Sequence, residues 1–263
     1  MPRICVILLM SSILGPIGCQ QDAEPSPEVR EISTPVEVVE TPPLDESLTN
    51  YFRLIESGAT GPARVRIRQW LDEFPTDSRG LFLMGLSHHQ DKHYARAVSW
   101  LKEAIAAKPV YPPAWHFLGW TQYYLGQPDE ARAAFLWHIG LDPEEGDSHF
   151  ALGLLDLDEW RLNDAESRFR TAMSLQESIP GRAKGVSKAA ARLSEVIEYR
   201  DQDVDRAIEL LKQSVRLYPD HYEAWYRLWQ LLDRQHQFED AERARLAFVA
   251  ARDRVRPGSG FPE

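Results

Sequence analysis

Cysteine is nearly absent from this chain of 263 residues, and both cysteines, Cys5 and Cys19, lie close to its N-terminus. This excludes a disulfide framework or a cysteine-ligated metal site from the rest of the chain. Basic residues are in the minority, with 30 Lys and Arg against 40 Asp and Glu, and the formal net charge is −10. The balance argues against nucleic acid as a partner, and against attachment to an anionic membrane by charge alone.

The N-terminal residues have the pattern of a targeting segment. Arg3 gives a positive start, residues 4–14 are apolar apart from two serines, and Gly18 precedes Cys19. The apolar run is too short to be a comfortable membrane span. We therefore predict that residues 1–18 are a signal peptide, which is removed from the mature protein.

The stretch ILGPIGCQQ resembles the lipobox of bacterial lipoproteins, in which a Gly-Cys pair follows a leucine-like residue. Pro16 stands at the leucine position here, and an ordinary secretory signal that leaves a free thiol is the alternative. The resemblance implies lipidation of Cys19 and a membrane anchor in the cell envelope, facing the periplasm. Gln20 stands where aspartate would signal retention in the inner membrane, so the outer membrane is favoured.

Residues 19–43 are predicted to be an acidic, proline-rich tether. From residue 20 the segment contains five prolines, six acidic residues, one arginine and no aromatic residue. Such a composition cannot bury enough apolar surface to fold, and its prolines favour extended, semi-rigid spacing. A tether of this kind would hold a folded domain away from a membrane. An unfolded N-terminus that is not anchored to a membrane would have the same composition and is the alternative.

Alanines recur along the rest of the chain at a nearly constant interval. Successive members are 34 residues apart, except for one step of 42 between Ala165 and Ala207. A period near 34 is typical of stacked helix–turn–helix units, which form an extended concave surface rather than a catalytic crevice. The series is Ala63, Ala97, Ala131, Ala165, Ala207 and Ala241.

The clearest repeat unit, residues 112–145, contains Trp115, Leu118, Gly119, Ala131, Phe135 and Pro143. With this pattern the unit resembles the tetratricopeptide repeat (TPR). The resemblance implies an all-α, right-handed α-solenoid of about five to six helix hairpins, and with the lipobox it implies a bacterial TPR lipoprotein. The predicted organisation is a degenerate N-terminal unit 44–77, units 78–111, 112–145 and 146–179, an insertion 180–187, units 188–221 and 222–255, and a tail 256–263.

In proteins that resemble TPRs, particular positions of each first helix face the concave groove. In this register they form an aromatic surface with two arginines on its C-terminal side, which is the composition that partner interfaces favour. The alternative is that several of these rings fill space between adjacent hairpins. The implied groove residues are Phe82, His89, His116, Trp120, Tyr123, Tyr124, Phe150, Arg192, Tyr199, Arg200 and Tyr226.

These patterns predict a protein–protein interaction scaffold of the bacterial cell envelope, which binds a partner protein or peptide in this groove. One alternative is an assembly lipoprotein for an outer-membrane, pilus or secretion complex. A second is a module that binds glycans or cell-wall fragments on its aromatic rings.

Candidate catalytic and metal-binding patterns are weak in this sequence. His88, His89 and His93 are close enough to suggest a metal, but the repeat register puts His93 in a turn. Gly181 and Gly185 lie in a Lys-containing stretch, yet their spacing does not match a phosphate-binding loop. We therefore predict no enzyme activity, no metal and no cofactor.

Overall fold

The computed structural model describes residues 45–177 and 179–257, and this part of the chain is helical with no β-strand. Helices that are adjacent in sequence pack against each other throughout, and they pair into six hairpins. The prediction of an all-α solenoid of helix hairpins is confirmed. The helices are α1 (Glu46–Glu56), α2 (Thr60–Glu73), α3 (Ser78–Gln90), α4 (Tyr94–Ala107), α5 (Pro112–Tyr124), α6 (Pro128–Leu141), α7 (Gly146–Asp158), α8 (Leu162–Glu177), α9 (Ala183–Asp201), α10 (Val204–Leu217), α11 (Tyr222–Arg234) and α12 (Phe238–Val255).

Three predictions fall outside the described residues: the signal peptide 1–18, the tether 19–43, and lipidation of Cys19. Most of the predicted tail, residues 258–263, lies outside them as well. Within the described ranges, no helix combines the length and the apolar character that crossing a membrane requires.

The recurring alanines mark the closest contact between the two helices of each hairpin. Each alanine of the series is 0% exposed except Ala241, which is 3% exposed. Glycines on the facing helices allow the same approach: a Cβ at Gly119 would lie 2.7 Å from the ring of Phe135, and one at Gly153 would lie 2.6 Å from Phe169. The period in the sequence is therefore the period of helix–helix contact.

Each turn within a hairpin contains one residue in the left-handed region of backbone space. The first and third hairpins use glycine, with φ of 81° at Gly58 and 70° at Gly126. The other four hairpins use residues with a side chain, at φ between 54° and 60°: Lys92, Trp160, Gln202 and His236. These six positions repeat with the same spacing as the alanines. The turn therefore keeps the same backbone geometry in every hairpin, whether its left-handed residue is glycine or not.

Neighbouring hairpins are joined by a tryptophan contact that occurs in two units. The Trp115 indole N–H donates to the carbonyl oxygen of Pro109 at 2.7 Å, and Trp225 donates to Pro219 at 2.9 Å. In both cases the acceptor lies in the loop that precedes the helix carrying the tryptophan. The contact fixes how the chain enters α5 and α11.

The break in the period lengthens a helix. Helix α9 begins at Ala183, inside the predicted insertion 180–187, and is 19 residues long. Just before it, Arg182 forms ion pairs with Glu145 at 3.0 Å and with Asp147 at 3.4 Å. The start of α9 is thereby attached to the start of α7.

The first helix of the fifth hairpin therefore begins within the predicted insertion 180–187, ahead of the predicted unit 188–221. Helix α9 approaches the end of α8 closely at Gly185, where an added Cβ would lie 1.7 Å from the side-chain oxygen of Gln176. Sequence periodicity could not find this helix start, because the extra residues fall outside the regular repeat.

Candidate functional site

Two adjoining cavities open between α5 and α7 on one side and α9 on the other. Their volumes are about 500 Å³ and 490 Å³. Five residues line both cavities, namely Trp120, Tyr124, Phe150, Lys184 and Lys188. We call the two cavities together the groove.

Four of the predicted residues form one side of the groove, which we call the aromatic wall: Trp120, Tyr123, Tyr124 and Phe150. The Trp120 ring packs edge-on against the fully buried Phe135 at 5.4 Å, and this contact anchors it in the hairpin core. Its other neighbours are Tyr124, stacked at 6.0 Å, and Phe150 at 6.5 Å. The wall is therefore a set of mutually packed rings that is held rigidly from behind.

Tyr124 is the most exposed ring of the wall, at 53%. It stacks on Trp120 and on Tyr94, whose ring centroid lies 5.2 Å away. About half of its surface nevertheless stays exposed and is available to a ligand.

Three cations of α9 line the opposite side, and we call them the basic stripe: Lys184, Lys188 and Arg192. They are four residues apart, so they lie along one face of the helix. All three are exposed. The stripe places positive charge across the cavity from the aromatic wall, in a chain whose net charge is negative.

The members of the stripe differ in their partners. Arg192 is paired with Glu195 at 2.9 Å, whereas neither lysine forms an ion pair with any residue in the described part of the chain. The Lys184 ammonium lies 5.5 Å from the centre of the Tyr218 ring, a cation–π contact that holds it over the groove. Two positive charges of the groove are thus free to meet a ligand.

The predicted histidines lie at the N-terminal end of the groove, where they are engaged with hydroxyl groups. His89 Nδ1 lies 2.9 Å from Thr121 Oγ1, and His116 shares Ser148 Oγ with His138 at 3.4 and 2.9 Å. Burial lowers the pKa of His89, and burial together with the neighbouring His138 lowers the pKa of His116 to about 3. These side chains are therefore neutral near pH 7 and do not add to the positive charge of the groove.

Tyr199 lies beside the groove instead of within it. It lines a smaller cavity together with Tyr123 and Arg192, and its ring lies 5.5 Å from that of Trp160. Tyr199 thus extends the aromatic surface towards the turn between α7 and α8.

Three predicted residues do not belong to the groove. Phe82 is 5% exposed and packs edge-on against Tyr111 at 5.6 Å, so it fills the core between hairpins. Arg200 pairs with Glu166 of α8 and with its neighbour Asp201. A register based on helix position alone could not foresee these partners.

Tyr226, the third such residue, packs against Trp229 and Phe248 in the last hairpin, with centroid distances of 5.7 and 5.3 Å. It lines neither cavity of the groove.

Sequence reasoning missed Lys184 and Lys188. Both fall in or beside the predicted insertion 180–187, where the regular repeat does not assign residues to the groove. The signal that could have found them is the four-residue spacing with Arg192, which becomes meaningful once α9 is extended backwards through the insertion.

Among the described residues, no group of three or more His, Cys, Asp or Glu side chains is arranged so that it could hold a metal ion. Serine–histidine contacts do occur, but Ser148, Ser187 and Ser214 are each 0% exposed. Hydroxyl groups without access to the surface cannot act as nucleophiles on a substrate.

Comparison with known proteins gives a consistent assignment. Two family models described as tetratricopeptide repeat match residues 118–172 and 198–244. A search of curated proteins finds no significant match to the sequence.

Solved structures show the same fold at low sequence identity. The structure of pilF from Pseudomonas aeruginosa is 16% identical, with a TM-score of 0.65, and the match covers 82% of this chain and 92% of that one. A thermophilic TPR protein of Thermus thermophilus is 17% identical with a TM-score of 0.56, over 71% of this chain and 97% of its own. YrrB, a TPR protein with an unusual peptide-binding site, is 19% identical with a TM-score of 0.53, over 69% and 89%. With the alanine period and the six stacked hairpins, these matches assign tetratricopeptide repeats to residues 118–172 and 198–244 and show that the described residues share the fold of tetratricopeptide repeat proteins.

Proposed function

We propose that this protein is an interaction scaffold that binds a partner protein or an extended peptide in the groove. The observation that carries the proposal is the position of the aromatic wall opposite the basic stripe, across an open cavity. Aromatic and arginine side chains are the residue types that contribute most to binding at protein interfaces. The peptide-binding site described for YrrB, which has the same fold, supports the proposal at the level of the fold.

The wall is well suited to bind without reorganising. Trp120 is fixed by Phe135 behind it and by Tyr124 beside it. A side chain that is already ordered loses little conformational entropy when a ligand arrives, and more of the contact energy then appears as affinity.

A glycan ligand is less well supported by this geometry. Sugars stack on the faces of aromatic rings, and Tyr124, the most exposed ring of the wall, already stacks on Tyr94 and Trp120. A peptide can use the exposed ring edges and the tyrosine hydroxyl instead.

We place this scaffold in the cell envelope, anchored through Cys19 and held away from the membrane by residues 19–43. The support is the sequence pattern of the signal peptide and the lipobox-like stretch. The serine hydroxyl groups in contact with histidine are buried, so the proposal gives them no catalytic role.

Affinity purification from envelope extracts, with mass spectrometry of the bound proteins, tests the groove. The variant Trp120→Ala/Tyr123→Ala should lose the partner while far-UV circular dichroism shows unchanged helical content. A milder variant, Tyr124→Ala, removes an exposed ring and should weaken capture without disturbing the core.

The matched control is Trp137→Ala. Trp137 is 47% exposed on α6 and stacks on Trp115 outside the groove, so its removal should leave capture unchanged. If every partner is retained by Trp120→Ala/Tyr123→Ala, the assignment of the groove as the binding site is wrong.

A further inference from the structure

Some of the charged groups that line the groove have a partner of opposite charge among the described residues, and others do not. Two of its acidic groups already have basic partners: Asp147 is held by Arg182, and Asp220 by Arg254. The two lysines of the basic stripe have no acidic partner among the described residues. The groove therefore carries positive charge that is not paired by any residue that the structure describes, although the chain as a whole is acidic.

The remaining carboxylates of the groove do not cancel this charge. Glu195 is neutralised from two sides, since it pairs with Arg192 at 2.9 Å and with Arg227 at 3.5 Å. Glu223 also lines the groove, but it is 62% exposed and is one carboxylate against two lysines. Arg192 keeps an exposed guanidinium edge, since its side chain is 48% exposed.

The spacing of the basic stripe matches the repeat of an extended peptide. Residues four apart on an α-helix are separated by about 6 Å along its axis, at 1.5 Å per residue. Side chains on one face of an extended chain recur every two residues, or about 6.6 Å. Successive cations of the stripe can therefore each meet a carboxylate at every second position of an extended segment that lies along α9.

The intervening side chains of such a segment point the other way. In the groove that direction leads to Trp120 and Phe150 of the aromatic wall. Apolar or aromatic residues at those positions would be buried against the rings, while the acidic residues pair with the stripe.

We infer that the ligand of this groove is an extended peptide segment in which acidic residues alternate with apolar residues. It lies along α9, with its carboxylates on Lys184, Lys188 and Arg192 and its apolar side chains on the aromatic wall. This inference rests on the proposed function and adds the chemical class of the partner.

Fluorescence anisotropy with the full-length protein and two labelled peptides of identical composition tests the inference. In one peptide Glu alternates with Val and Phe, and in the other the same Glu residues form one block. The alternating peptide should bind about tenfold more tightly, and its affinity should fall as salt is raised, because exposed ion pairs are screened. If the two peptides bind with equal affinity, the inference that acidic and apolar residues alternate in the ligand is wrong.

Charge reversal identifies the surface involved. Lys188→Glu should weaken binding of the alternating peptide by about tenfold or more. Lys188→Gln, which keeps the length and removes the charge, should have an intermediate effect. The matched control is Lys102→Glu, an exposed lysine on α4 outside the groove, which should bind like the parent.

Unchanged binding by Lys188→Glu with intact helical content would overturn the inference. So would displacement of the peptide by an anionic oligosaccharide of equal charge at equal concentration, because the surface would then select charge alone. The result also separates this inference from the proposed function. If neither peptide binds but partner capture still depends on Trp120, the scaffold stands and the acidic ligand does not.

Discussion

Gly119 illustrates how single residues set the distance between helices. A Cβ at this position would overlap the Phe135 ring, whereas one at Gly140 of α6 would meet nothing within 4 Å. Gly119→Ala should therefore lower the free energy of unfolding by about 1–3 kcal/mol, as overpacked cores do. Gly140→Ala should raise it by about 0.5–1 kcal/mol, because alanine is the better helix former. Urea unfolding measures both, and a change of the same sign in the two variants would contradict the close-contact explanation.

His116 makes stability depend on pH. Burial lowers its pKa to about 3 in the folded protein, against 6.5 ordinarily, so the unfolded chain takes up the proton first as pH falls. The stabilising contribution of neutral His116 is therefore complete above about pH 6.5 and is lost as pH falls from there towards 3. His116→Gln should reduce the loss of unfolding free energy between pH 7 and pH 5 by about 1–2 kcal/mol.

Chemical denaturation at several pH values checks this expectation. An unchanged slope in His116→Gln would assign the acid sensitivity to other groups.

The candidate site also shows what can be predicted for individual residues. Trp120 and Tyr123 were found because a repeat register assigns each residue to a helix face. Phe82 and Arg200 fit the same register, but Phe82 packs in the core against Tyr111 and Arg200 forms an ion pair with Glu166. Such partners come from distant parts of the chain, so a local pattern carries no information on them.

At the scale of helices and turns, the left-handed residue in each hairpin turn gives a direct test. A residue with a side chain costs about 1–2 kcal/mol in this conformation relative to the right-handed one, and glycine avoids the cost. Lys92→Gly should therefore raise the free energy of unfolding by about 1 kcal/mol, and Gly126→Ala, at the equivalent turn, should lower it by a similar amount. Thermal or urea unfolding measures the change in the free energy of unfolding for both variants. Changes of the same sign in the two would contradict the explanation.

Helix α9 begins where the sequence period is least regular, between Ala165 and Ala207. The other hairpins follow from the alanine period, because one small residue per unit sets the helix contact. In the fifth hairpin the extra residues make the start of α9 unpredictable from the period. The predicted groove therefore does not include the two lysines in the first turns of this helix. Periodicity predicts helices where the repeat is regular, and an irregular unit requires its own contacts, such as Arg182 with Glu145.

At the scale of the whole molecule, the predicted lipid anchor can be tested independently of the groove. Incorporation of labelled palmitate should be lost in Cys19→Ser and retained in Cys5→Ser, whose cysteine lies within the predicted signal peptide. Retained labelling in Cys19→Ser would mean that the lipobox-like stretch is not a lipidation site. The groove variants should be labelled like the parent, because anchoring and binding use different parts of the chain.

The start of α9 carries groove residues and core residues side by side. Lys184 and Lys188 are exposed in the groove, whereas Val186 and Ala189 beside them are buried in the core. The charge at the exposed positions can therefore be changed while the buried positions keep the helix in place. For engineering, new ligand preferences can be selected by randomising the exposed positions of this segment alone.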